Sequence, residues 1–187
     1  MKIGFDNEGY IQKQTERILE RVNEYGDKLY LELGGKLLDD YHAARVLPGY
    51  KPCNKIKVLK SIEDKVEIII VISSNDILFG KIRGDSGVTY QAEVLRLIDI
   101  FRGLNLCIGG VVITQYKSSY PVVKFKKKLE EEGIRVYKHY LIEGYPTNIP
   151  LIVSDKGFGK NEYIETSRPV VAVTAPGPGS GKMAVCL

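Results

Sequence analysis

The chain lacks the residue patterns that mark several functional classes. Its three cysteines, Cys53, Cys107 and Cys186, are odd in number and widely spaced, and no Cys-x-x-Cys occurs. That argues against a disulfide framework and a zinc site, and for reduced thiols in a cytoplasmic setting. No apolar run reaches the ~20 residues of a membrane span, so no membrane partner is expected. The opening residues, Met1 to Asp6, do not form the apolar core of a signal peptide. There is no His-Glu-x-x-His, no recognisable Ser/His/Asp set and no His-rich metal spacing. Neither a protease nor a metal centre is expected. Neither sign of charge dominates. A net charge of +4 without a recognised binding motif gives no reason to expect nucleic acid. It does suit an anionic small molecule.

What is present is an ordinary globular composition: 187 residues, 44% hydrophobic and 27% charged, without internal repeats or low-complexity linkers. Asp6 or Asn7 caps an expected helix to about Tyr25, with Ile11, Ile18, Leu19 and Val22 on one face. Lys28 to Leu33 alternates like a strand. Leu38 to Leu47 reads as a helix, and Ile56, Leu59 and Ile62 suggest another. Val66 to Ile72 is nearly all β-branched, as a strand buried on both faces should be. A long polar connection, Ser73 to Thr89, leads to a helix carrying Val94, Leu97, Ile98 and Phe101, with Gly103 as its expected C-cap. Gly110 to Thr114 is the next strand, Pro121 opens the next helix, and Ile134 to Tyr137 begins another strand. Leu151 to Val153 reads as extended, and Pro169 to Thr174 as a final strand. This alternation predicts a doubly wound α/β fold with a mainly parallel, Rossmann-like sheet. The expected division is a domain over residues 1–168. Residues 169–187 are then the truncated start of a P-loop-like second domain, or the last strand of the first.

In such sheets ligands bind beyond the carboxyl ends of the strands. The most informative segment there is 175–182, which carries Gly177, Gly179, Ser180, Gly181 and Lys182 between an apolar strand and an apolar helix start. Glycines turn backbone N–H groups toward an anion, and the lysine adds a full charge. These five residues are the candidate phosphate-binding set. The match to a P-loop is incomplete. Pro176 replaces the first glycine, Pro178 removes a donor, and Met183 stands where a Mg²⁺-binding hydroxyl is usual. A structural tight turn is the alternative. The apolar helix start near Met183 also suggests a fragment of a longer protein. On its own it is expected either to self-associate as a homo-oligomer or to lose order after about Lys182.

Two further segments follow strands. Asp39, His42 and Arg45 have the spacing of one helix face, as a site or as a capped surface helix with internal ion pairs. Arg83 is flanked by glycine and suits bidentate binding of phosphate or carboxylate. His42, Arg83 and Asp85 are the candidate catalytic residues. Lys36, Asp39 and Arg45 are candidates for a second anion or substrate site. All are expected to line one cleft. His139 reads as a plain strand residue, 154–161 as a tight loop, and the Lys/Glu run 124–132 as a solvated helix face.

Residues 34–49 (GGKLLDDYHAARVLPG), 81–85 (KIRGD) with Tyr90, 94–99 (VLRLID), 163–166 (YIET) and 174–182 (TAPGPGSGK) resemble a bacterial family, domain-of-unknown-function family 1846. The resemblance covers essentially the whole chain. It implies a longer protein, of which this is the N-terminal part, and carries no established activity. Some members bear an ATP-dependent peptidase label that no residue pattern here supports. The functional expectation is a nucleotide- or phosphometabolite-binding protein, with ATP or another nucleotide as cofactor and phosphoryl transfer as the reaction class if it is an enzyme. The alternative is a non-catalytic ligand-sensing or scaffold domain.

Overall fold

The computed structural model describes residues 4–26, 28–33, 36–38 and 40–186. Its centre is β2 (Val66–Ser73), where every residue is buried. Because strand side chains alternate, Ile68, Ile70 and Ile72 enter one core, while Ile69 and Val71 enter a second on the opposite face. Around β2 lie β1 (Leu29–Glu32), β3 (Cys107–Thr114), β4 (Val136–Lys138) and β5 (Val170–Thr174). The five strands are all parallel, in the order β1-β5-β2-β3-β4. This is an α/β doubly wound fold.

The first face is packed by α1 (Asn7–Tyr25), α3 (Asn54–Lys60), α4 (Ser74–Leu78), α5 (Tyr90–Gly103) and α6 (Tyr120–Glu131). Asp6 caps α1 by accepting from the Gly9 N–H, and Pro121 sits in the first turn of α6. The short α2 (Tyr41–Val46) begins at the Asp40 cap, three residues later than the apolar pattern suggests. From β2 the chain steps outward to β3 and β4 by way of α5 and α6. It then returns across the sheet to insert β5 between β1 and β2. A reversal of direction must change faces if crossovers stay right-handed. Accordingly, Ile164 of the returning segment packs in the second core with Val171 and Val173.

Three local readings are corrected. α5 runs through Gly103, and the left-handed turn falls on Asn105 (φ 56°), because asparagine tolerates that conformation. Residues 149–152 form α7 (Ile149–Ile152), capped by Asn148, where an extended piece is expected; Pro150 sits in its first turn. The polar connection 73–89 contains α4, opened by a reciprocal capping box between Ser73 and Asp76. After β5, α8 (Lys182–Cys186) docks Val185 into the second core. Among the described residues, no helix is long and apolar enough to cross a membrane.

Candidate functional site

β1 and β5 are neighbours, but the chain leaves them toward opposite faces: α3 packs in the first core and α8 in the second. Such a divergence opens a crevice at the carboxyl ends of the strands. A cleft of about 470 Å³ lies there. Its walls are Lys36 beyond β1, the segment 175–178 beyond β5, Arg83 and Asp85 from the connection after β2, Tyr90 at the start of α5, and Lys182 at the start of α8.

The glycine loop is held down by side chains from neighbouring strand ends. Ser180 Oγ donates to Asp76 Oδ2 (3.0 Å), Thr114 Oγ1 donates to the Ser180 carbonyl (2.7 Å), and Lys81 Nζ donates to the Pro178 carbonyl (2.9 Å). Lys81 also pairs with Asp76 (3.1 Å) and lies 4.6 Å from the centre of the Tyr90 ring. Burial works against the Lys81 ammonium, but Asp76 outweighs it and the pKa is raised. Two glycines sit where the loop touches α5 and the end of β3. A Cβ at Gly177 would fall 2.2 Å from the Tyr90 hydroxyl, and Gly181 (φ 88°) sits against Thr114. Among the described residues, the N–H groups of Gly177, Gly179 and Gly181 donate no hydrogen bond, and remain available as donors.

Arg83 is 7% exposed, which decides its use. Its Nε and Nη2 donate to the two oxygens of Asp85 (3.1 and 2.9 Å), and Nη1 donates to the buried Glu93. Its guanidinium fork therefore grips a carboxylate of the protein itself. Burial opposes the charge, yet Asp85 and Glu93 together raise the Arg83 pKa. Arg83, and then Lys36, hold the Asp85 carboxyl well below the usual carboxylate range, so Asp85 is ionised at the cleft wall. Lys182 Nζ lies 3.5 Å from Glu32 Oε1 at the end of β1.

The structure thus gathers Lys36, Arg83, Asp85, Gly177 and Lys182 around one cleft. Ser180 is buried beneath the loop, and Gly179 and Gly181 border a different cavity. His42 and Arg45 are exposed on α2 and do not line the cleft; the α2 residue that is buried and paired is its cap, Asp40, with Lys55 (2.5 Å). Asp39 lies outside the described residues. The residues missed from sequence are Asp76, Lys81, Thr114 and Glu93. Only Asp76 had a local signal, the Ser-x-x-Asp spacing of a capping box; the others act through contacts distant in sequence.

A family model for the N-terminal part of the domain of unknown function DUF1846 matches residues 3–187. A UPF0371 protein of Streptococcus uberis is 56% identical over 186 residues, spanning 100% of this chain and 38% of the relative. One from Clostridium botulinum is 58% identical over 187 residues, spanning 100% and 37%. The chain therefore spans little more than a third of the length of these relatives. Matched over almost its whole length, it belongs to the family defined by the DUF1846 N-terminal region.

Proposed function

We propose that the chain binds a nucleotide or phosphorylated metabolite, with the anionic group held at the 176–182 loop. The observation that carries this reading is the cleft itself. It lies at the strand-order reversal of a parallel sheet, has the volume of a small-molecule site, and brings Lys36 and Lys182 together with the unpaired N–H of Gly177. Lys36 and Lys182 supply charge, Gly177 supplies a backbone donor, and the ionised Asp85 accepts from a ligand hydroxyl or orients a ligand through Lys36. Arg83 positions Asp85. Met183 offers no hydroxyl to a metal, so binding depends little on Mg²⁺. If the full-length protein turns its ligand over, phosphoryl transfer is the reaction class that fits. The free thiols Cys53, Cys107 and Cys186 suit a reducing cytoplasm.

The test is calorimetry on the full-length protein with ATP, GTP and pyrophosphate, with and without Mg²⁺. Lys182→Ala is expected to weaken binding by about 1.5–3 kcal/mol, the size of a lost charge-assisted hydrogen bond. Equal affinity for the variant and the wild type sinks the reading.

One observation favours a second reading. Ser180, Lys81 and Arg83 all spend their polar groups on the protein itself, as expected of a tied structural turn in a ligand-sensing or scaffold domain. Nucleotide binding without turnover would favour it over the enzyme.

A further inference from the structure

A second cavity, of about 420 Å³, borders the same loop at Gly179 and Gly181, beyond the carboxyl ends of β3 and β4. Its character differs from that of the first. Leu141, Tyr145, Phe158 and Met183 give it apolar and aromatic walls, and Gln115 and His139 are among its polar groups. Leu141, Tyr145 and Met183 are each about two-thirds exposed, so their apolar surface is available to a ligand.

The two polar groups have defined hydrogen-bonding roles. Gln115 follows β3 directly and has φ 48°, a conformation uncommon outside glycine and frequent at functional sites. Its Oε1 accepts from Asn75 Nδ2 (3.0 Å), which leaves the Gln115 amide nitrogen as a donor. His139 Nε2 lies 3.1 Å from the Glu162 carbonyl. A carbonyl can only accept, so Nε2 carries the proton. Burial lowers the His139 pKa, so the ring is neutral and Nδ1 is an acceptor. One donor and one acceptor between aromatic walls match a planar heterocycle that presents a ring nitrogen and an exocyclic amino group, as adenine does. Tyr145 and Phe158 supply stacking faces.

We propose that this second cavity binds the base of an adenine nucleotide whose phosphates reach the glycine loop, an assignment that rests on the phosphate reading above. The loop then separates a base pocket at Gly179 and Gly181 from a phosphate cleft at Gly177 and Lys182.

Two probes separate this assignment from the reading beneath it. Adenosine has no phosphate and reports on the second cavity alone; pyrophosphate reports on the loop and first cleft alone. Binding of each to the full-length protein is measured by calorimetry. Ala184→Trp places an indole in the cavity from the exposed face of α8, and Phe158→Ala removes one wall. Both are expected to weaken adenosine binding by about ten-fold or more, the scale of a lost base–aromatic contact. Pyrophosphate affinity should be unchanged in both variants. Lys36→Ala should do the reverse, and inosine, without the amino group, should bind about five-fold more weakly than adenosine. No adenosine binding, adenosine binding indifferent to both cavity variants, or equal binding of inosine overturns the assignment. So does a loss of thermal stability in Ala184→Trp with adenosine binding unchanged, which would mean that another part of the full-length chain fills the cavity. Failure of pyrophosphate alone to bind removes the phosphate reading; adenosine still decides the base pocket.

Discussion

Arg83 and Glu93 show how a buried charge is assigned its work. Glu93 is 2% exposed and accepts from both Arg83 and Arg96. The two buried charges offset each other's cost of burial, with Asp85 and Arg96 as their further partners. Glu93→Ala is expected to cost about 3 kcal/mol, because it leaves the buried Arg83 Nη1 without its acceptor and Asp85 as the guanidinium's one remaining carboxylate. Urea unfolding checks this, and an unchanged midpoint would show that Asp85 alone satisfies Arg83. His139 gives a pH dependence of definite sign. Its folded pKa is depressed by burial, so below about 6.5 the unfolded chain takes up its proton first. The stability associated with neutral His139 is present above that pH and is lost as pH falls toward the folded pKa. Denaturation between pH 7.5 and 5 should show this slope, and His139→Asn should flatten it. Asp85 acts lower on the scale. Its depressed pKa contributes stability above the ordinary aspartate range, and that is lost on acidification through the folded value.

At the scale of elements, the glycine loop and α4 form one unit joined by Asp76. That carboxylate accepts from the Ser73 N–H in the capping box, from Ser180 Oγ and from Lys81. Asp76→Ala leaves the Ser73 cap in place but removes the return half of the capping box and the ties to Ser180 and Lys81, with an expected loss of about 2 kcal/mol. Amide exchange in residues 177–182 should accelerate selectively. Unchanged exchange there would mean that Thr114 holds the loop unaided. Gly181→Ala tests the same unit from the other side. At φ 88° a Cβ costs about 1–2 kcal/mol and meets Thr114, so this variant should destabilise the loop even with Asp76 intact.

The whole molecule depends on β5 reaching the middle of the sheet from the far edge. Glu67, 2% exposed near the start of β2, accepts from the backbone N–H groups of Ser167 (2.6 Å) and Arg168 (2.7 Å) and so anchors the returning chain just before β5. Arg168 in turn donates to the carbonyls of Glu63 and Val66. Truncating the fully buried Ile70 in the central strand should cost about 2–5 kcal/mol, as other large-to-small core changes do. A smaller loss by chemical denaturation would mean that the first core collapses around the gap.

The elements with strong periodicity were legible in the amino-acid order alone. The capped stripe of α1, the β-branched run of β2 and the alternation of strand and helix each follow from local sterics and burial, which act within a few residues. The placement of a glycine-rich, lysine-bearing loop after a buried strand was legible for the same reason. Sequence did not reveal that β5 inserts between β1 and β2, because strand order depends on pairings a hundred residues apart. Nor did it reveal that Arg83 is engaged by Asp85 and Glu93, or that His42 and Arg45 stay on the surface while Lys36 reaches the cleft. Residue type states what a side chain can bind. Which partner it meets is decided by the packed sheet, where burial makes unpaired charge costly and only the tertiary neighbours can meet that cost.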